Sequence, residues 1–261
     1  MDKALESRPR MKKVIMMTVK QYLLDRIPQG TLHLALIDPD KQTPQEAGEI
    51  ARRIKEAGTD AIMIGGSTGV TSENLSATAL AIKEASGLPT IHFPGGPQEL
   101  SADVDALFFM SMMNSSKMEF VIGYQVYAAP YVKKLGIEPI SMGYVIVEPG
   151  MKVGEVGKAV PVKQDDIDTA VAYALTCEMY GMSFVYFEAG SGADRPVPPE
   201  MISAVKKAVN IPVIIGGGIR TPEAAEAARK AGADMIVTGT LIEQCDDDTK
   251  LRAVVKAAKG I

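Results

Sequence analysis

The sequence predicts a (β/α)8 barrel, an α/β fold of the TIM type. Three observations predict it. Short apolar runs alternate with amphipathic stretches, which implies a parallel sheet. Eight such runs can be counted. The alternation fills a chain of 261 residues, the size of that barrel. The competing fold is a doubly wound open sheet, which wants G-x-G-x-x-G after its first strand. Here the first run ends in Asp-Pro-Asp-Lys, and no P-loop sequence occurs.

The expected strands are LHLALID (32–38), AIMIG (61–65), TIHF (90–93), ALFFM (106–110), ISMGYVIVEP (140–149), FVYFE (184–188), VII (213–215) and MIVTG (235–239). They are short, β-branched or aromatic, and bounded by breakers, as strands buried on both faces are. Between them lie helices. Thr43 is an N-cap, Pro44 sits at the first helical position, Glu46 lies in the first turn, and Gly58 stops the helix. After Asp165, residues Ile167, Ala170, Val171, Ala174 and Leu175 fall on one helical face. Thr221-Pro222-Glu223 opens another helix and Gly232 ends it. The rhythm breaks once. PGGPQELSADVD (94–105) is too short and too rich in Pro and Gly, so the third helix is expected to be lost or reduced. Residues 11–30 are expected to form an extra N-terminal segment closing the bottom of the barrel. A single domain over 1–261 is expected, with 1–11 as a disordered tail and Met11 as an alternative start.

The formal charge of -4 argues against a nucleic-acid partner. Two cysteines, Cys177 and Cys245, make no disulfide framework and suit a reducing compartment. The charged stretch MDKALESRPRMKK lacks the apolar run expected of a signal peptide, and no apolar run approaches the roughly 18 residues of a membrane span. A cytoplasmic location is therefore expected.

In IPVIIGGGIRTPE (211–223), a buried strand runs into Gly216, Gly217 and Gly218 and then into a helix start. Glycines allow close backbone approach, and a helix N-terminus favours an anion. MIVTGTLIE (235–243) repeats the arrangement with Gly239 and Thr240. Loops after strands 7 and 8 form the usual phosphate site of such barrels. Asp38 stands at the end of strand 1, on the functional face of a barrel. A single carboxylate there suits Mg²⁺, which takes one or two protein oxygens and leaves the rest to phosphate and water. The neighbouring Asp40 fits a turn role better. GGSTG (65–69) closes strand 2 next door and offers the Ser67 or Thr68 hydroxyl. His33 and His92 lie inside strands without metal-ligand spacing and read as structural. FFMSMMN (108–114) places Met110, Met112 and Met113 where strand 4 opens, an apolar lining for a long hydrophobic substrate.

The segment YFEAGSGADRP (186–196) carries a lone acid where a buried strand becomes a glycine-rich loop. Side chains alternate along a strand, so Tyr186 and Glu188 share one face and Val185 and Phe187 the other.

Together LIDPDK, GGS, YFEAGSGA, IIGGGIR and GTLIE, in that order, resemble the geranylgeranylglyceryl phosphate synthase, or PcrB-like, family from about residue 12 onward. The resemblance implies a modified barrel without its third helix. It implies transfer of a geranylgeranyl group from geranylgeranyl diphosphate to sn-glycerol 1-phosphate, with Mg²⁺, in archaeal ether-lipid synthesis. A bacterial branch uses a longer prenyl chain, and a sugar-phosphate isomerase or aldolase is the other alternative. It implies that Tyr186 and Glu188 bind the glycerol hydroxyls and that Glu188 accepts the proton of the 3-hydroxyl. Phe187, Ala189, Gly190, Ser191 and Gly192 would surround glycerol phosphate with Gly216, Gly217, Gly218, Gly239 and Thr240. Asp38 and Ser67 would hold Mg²⁺. Homo-oligomers, dimers or hexamers, are the family's habit.

Overall fold

A computed structural model of the protein describes residues 17–66, 69–244 and 248–261. The expectations placed on the tail, on Met11, on Ser67 and Thr68, and on Cys245 lie outside these residues.

Eight parallel strands close into a barrel in sequence order. They are β1 (Leu32–Ile37), β2 (Ala61–Ile64), β3 (Thr90–His92), β4 (Ala106–Met112), β5 (Glu138–Ile146), β6 (Phe184–Glu188), β7 (Val213–Gly216) and β8 (Met235–Thr238). The helices are α1 (Val19–Arg26), α2 (Pro44–Ala57), α3 (Ser72–Ser86), α4 (Tyr124–Leu135), α5 (Met151–Val156), α6 (Ile167–Met179), α7 (Pro199–Ala208), α8 (Pro222–Lys230), α9 (Thr240–Gln244) and α10 (Asp248–Lys259). Between β3 and β4 there is no helix, as the Pro/Gly-rich segment requires. A wider π-type turn over Glu119–Gly123 precedes α4.

Every strand alternates. Leu34, Met63, Ile91, Phe108, Met142, Tyr144, Phe184, Tyr186, Ile214 and Met235 fill the barrel interior. Ile37, Ile62, Leu107, Val145, Val185, Phe187, Ile215 and Ile236 face outward onto the helices. This two-sided burial is why the strands read as unbroken apolar runs. α2 follows its sequence signals: Thr43 and Glu46 form a reciprocal capping box, and Gly58 is left-handed at the C-terminus. α6 begins at the N-cap Asp166, whose side chain accepts the Thr169 N–H.

The bottom of the barrel is closed by α1. Val19 and Leu23 join the interior cluster beside Leu32. The N–H groups of Val19 and Lys20 donate to the Glu138 carboxylate at 2.6 and 3.0 Å. That carboxylate satisfies two of the helix's orphan donors and meets its positive end.

Boundaries differ from expectation by one residue at β1, β2, β3, β7 and β8 and by more at β4 and β5. β1 stops at Ile37, which leaves Asp38 as the first loop residue. β4 reaches Met112, because β5 continues to pair with it as far as Tyr144. β5 starts at Glu138 and ends at Ile146, short of the expected 149. Beyond it only Val147 is bridged, to Val162, and Pro149 has no N–H to extend a ladder.

Candidate active site

The C-terminal end of β6 sets the site. Tyr186 and Glu188 both point into the barrel mouth, as alternation requires. The Tyr186 hydroxyl donates to Glu188 Oε2 at 2.6 Å, and the Gly190 N–H donates to Oε1 at 2.7 Å. Burial raises the Glu188 carboxyl above the usual carboxylate range, and the two hydrogen bonds pull in the opposite direction. The Tyr186 hydroxyl is raised well above its ordinary value by burial, with the Glu188 charge adding to it. Tyr144 packs edge-on against Tyr186 at 5.0 Å, and Phe93 against Tyr144 at 5.4 Å. Three rings thus line the approach to the carboxylate.

β7 pairs with β6 so that Gly216 stands beside Glu188. A Cβ on Gly216 would collide with the Tyr186 hydroxyl, and one on Gly217 with Glu188 Oε1 and the Gly190 nitrogen. Gly217 also has φ +82°, a left-handed conformation that a side chain disfavours. The glycines are therefore needed for close approach to Glu188.

A cavity of about 30 Å³ lies above these residues and holds Tyr186, Glu188, Ser191, Gly217, Gly218, Gly239 and Thr240 in its wall. Ser191 and Thr240 hydrogen-bond through their hydroxyls at 2.9 Å, joining the loops after β6 and β8. Of the other expected contacts, Gly190 and Gly216 adjoin Glu188 and do not line the cavity. Gly192 turns its carbonyl to Arg220. The Phe187 and Ala189 side chains lie in the outer core, and the Ala189 N–H is occupied by the Gly216 carbonyl.

Arg220 is in the same wall, a residue that sequence reasoning did not single out. Its guanidinium donates to the Gly192 and Ala193 carbonyls at 3.5 and 3.1 Å and pairs with Asp194 at 3.6 Å. It ties the glycine-rich loop after β6 to the start of α8, capped by Thr221. The signal was present: a basic residue immediately before an N-cap, within GGGIR.

A larger apolar groove, about 150 Å³, opens beside the cavity. Phe93, Phe108, Met110, Met112, Phe120, Tyr124 and Val153 line it, together with the segment that replaces the third helix. Met113, expected in this lining, instead packs against the outer core. Leu36, Glu188 and Ser191 belong to both the groove and the small cavity. Glu188 stands at their junction.

At the groove's rim, Asp38 is largely buried. Its Oδ1 accepts the Asp40 N–H at 3.1 Å, its carbonyl accepts the Lys41 N–H at 3.1 Å, and its carboxylate faces Lys41 Nζ at 3.7 Å. The turn role expected of Asp40 thus falls to Asp38. The carboxylate lies directly beneath Gly66, where a Cβ would strike both oxygens.

Both histidines point outward, away from the site. His33 bonds Thr59 and Thr238 through its two ring nitrogens, each at 2.9 Å. Burial lowers His33 and His92 to about 3, so both are neutral. The Cys177 thiol is buried against Gly143 and pushed up to about 12.

The sequence matches the PcrB family over residues 25–258. The chain belongs to the PcrB family. Among relatives of this PcrB-family chain is the geranylgeranylglyceryl phosphate synthase of Thermococcus kodakarensis, 51% identical over 234 residues, 90% of this chain and 93% of the relative. The synthase of that name from Methanosarcina acetivorans is 50% identical over 247 residues, 94% of this chain and all of the relative. The PcrB fold also superposes on the crystal structure of (S)-3-O-geranylgeranylglyceryl phosphate synthase from Thermoplasma acidophilum in complex with sn-glycerol-1-phosphate. The TM-score is 0.91 with 46% identity, covering 94% of this chain and 100% of that one. The tryptophan synthase alpha chain of Legionella pneumophila, at 12% identity and TM-score 0.62, shares the barrel alone.

Proposed function

We infer that this PcrB-family chain is a prenyltransferase that joins geranylgeranyl diphosphate to the 3-hydroxyl of sn-glycerol 1-phosphate. The observation that carries the reading is the place of Glu188, between a small glycine-rich cavity and a long apolar groove. One side suits a phosphate and two hydroxyls, the other a hydrocarbon chain. The relatives' shared name and the glycerol phosphate in the Thermoplasma acidophilum structure support the same reading.

The chemistry follows from the geometry. Glycerol phosphate sits with its phosphate toward Gly217, Gly218, Gly239 and Thr240, where backbone donors and the start of α8 meet the anion. Its 3-hydroxyl is directed to Glu188, which takes the proton. The hydroxyl oxygen bonds to the first prenyl carbon as that carbon's bond to the diphosphate oxygen breaks. The diphosphate leaves with the electron pair. The rings of Phe93, Tyr144 and Tyr186 keep water from the allylic carbon and tolerate its positive character. Tyr186 holds Glu188 in the orientation that meets the hydroxyl.

Mg²⁺ fits the rim. A single largely buried carboxylate, Asp38, lies against a glycine backbone with no side chain in between, a donor set that leaves room for phosphate oxygens and water. Asp38 would hold the ion, with Ser67 the further ligand the resemblance implies. When bound, Mg²⁺ offsets the negative charge that builds on the leaving diphosphate. The same reading places the enzyme in the cytoplasm as a homo-oligomer. No helix among the described residues is long and apolar enough to cross a membrane.

The test is transfer of label from geranylgeranyl diphosphate to sn-glycerol 1-phosphate by the purified chain, with Mg²⁺ and with EDTA. Labelled ether product with Mg²⁺ only is the expected result. No product under either condition overturns the function, and equal product under both overturns the metal.

A further inference from the structure

The segment that replaces the third helix is held by an acid that the reaction does not use. Glu99 sits half-buried in PGGPQEL, five residues after Pro94 opens the turn. Its Oε2 accepts the Gly95 N–H at 3.1 Å, and the Gly96 N–H lies near enough to favour its charged form. One carboxylate therefore closes the turn over two successive glycines. From behind, Ser72 of α3 donates to the Gln98 carbonyl at 3.3 Å, and Ser76 donates to Asp103.

The clasped turn is packed onto the ends of β2 and β1 without intervening side chains. A Cβ on Gly95 would lie 2.7 Å from the Gly66 carbonyl oxygen. Gly65 is in turn seated on the Phe93 carbonyl, and Gly66 on the Asp38 carboxylate. Gly65, Gly66, Gly95, Gly96, Pro97 and Leu100 all belong to the wall of the apolar groove. Each contact in the series Glu99, Gly95, Gly66, Asp38 is one backbone thickness wide. A shift of the turn moves the groove wall.

We propose that Glu99 is a positioning residue for the prenyl diphosphate: by holding Gly95 and Gly96 it sets the groove wall and its register on Gly66 beside Asp38. The inference rests on the reading that this groove takes the prenyl chain. Glu99 does not line the glycine-rich cavity, so glycerol phosphate binding is independent of it. Burial lifts its carboxyl above the usual range, and the two glycine N–H groups oppose that shift, as for an anion whose partners are backbone donors.

The test compares wild type, Glu99→Gln and Glu99→Ala, first in equilibrium binding of geranylgeranyl diphosphate and then in transfer kinetics. The charged acceptor that holds Gly95 and faces Gly96 is lost, so about tenfold weaker prenyl diphosphate binding is expected for Glu99→Ala, with a matching rise in its KM. KM for glycerol phosphate and kcat are expected within about twofold of wild type. Glu99→Gln keeps one carbonyl acceptor and should fall between the two, and it carries the test if Glu99→Ala does not fold. Gly95→Ala pushes the same contact from the other side and should give the same split. Equal rises in both KM values, or unchanged prenyl diphosphate binding, overturn the inference. So does a raised Mg²⁺ requirement with prenyl diphosphate binding intact, which would make Glu99 a metal residue. If wild type itself binds no geranylgeranyl diphosphate, the groove reading falls and the inference with it. If wild type binds and transfers while Glu99→Ala matches it, only the inference falls.

Discussion

Tyr186 donates its hydroxyl hydrogen to Glu188 across a buried 2.6 Å contact between two residues of one strand. The phenol orients the carboxylate and favours its charged form, against a burial that disfavours it. If Glu188 takes the proton of the glycerol 3-hydroxyl, Glu188→Gln should lower kcat by roughly 10² to 10⁴ with little change in prenyl diphosphate affinity. Single-turnover rates at saturating substrates check this. A rate near wild type would leave Glu188 with a binding role only.

The same pair predicts a pH effect. A base must be unprotonated, so activity is lost as pH falls through the Glu188 pKa. That pKa is raised by burial, so the acidic limb of kcat/KM should lie above the ordinary glutamate value of about 4.3. Tyr186→Phe removes a donor to the charged form and should move the limb to still higher pH. A limb that moves down, or does not move, contradicts the assignment.

Gly217 packs against the acid, and the proposed function gives it the phosphate as well. Gly217→Val forces a side chain onto a left-handed residue and against Glu188 Oε1 and the Gly190 nitrogen. KM for glycerol phosphate should rise far more than KM for prenyl diphosphate, and kcat should fall as well because Glu188 is displaced. Steady-state kinetics with each substrate varied in turn decide it. Equal effects on both KM values would remove Gly217 from the phosphate site.

Asp38→Asn keeps an oxygen to accept the Asp40 N–H, so the turn survives while the charge is lost. The expected result is a loss of activity on the order of 10², partly recovered by excess Mg²⁺. Coincident Mg²⁺ activation curves for wild type and variant would exclude Asp38 as the ligand.

Glu138→Ala leaves the first N–H groups of α1 without their carboxylate. Two hydrogen bonds to a charged acceptor are lost at a half-buried site, a cost of about 2 kcal/mol. In a chain of this size that lowers Tm by roughly 4 to 8 °C. Thermal unfolding measures it. Activity at low temperature should be unchanged, since α1 lies at the opposite end of the barrel from Glu188.

The sequence determined the parts whose information is local. A strand buried on both faces must be a short apolar run, so all eight were visible. A capping box needs residues three apart, so Thr43 and Glu46 announced α2. Two-residue alternation placed Tyr186 and Glu188 on one face, and a Pro/Gly cluster announced the missing helix. Ends were less legible, because a strand stops where its neighbour stops. β4 runs to Met112 only because β5 pairs with it that far. What tertiary structure alone decided is contact between residues distant in the chain. Glu138 caps a helix that begins 119 residues earlier. Arg220 holds the carbonyls of Gly192 and Ala193, and Met113 leaves the groove that Met110 and Met112 line. Phe187 and Ala189, within YFEAGSGA, turn into the outer core. The meeting of groove and cavity at Glu188 was likewise not legible, since it needs Leu36 of β1, Glu188 of β6 and the loop residue Ser191 in one place. Periodicity fixes which face of an element is buried. Only barrel closure fixes which residues of different elements face one another.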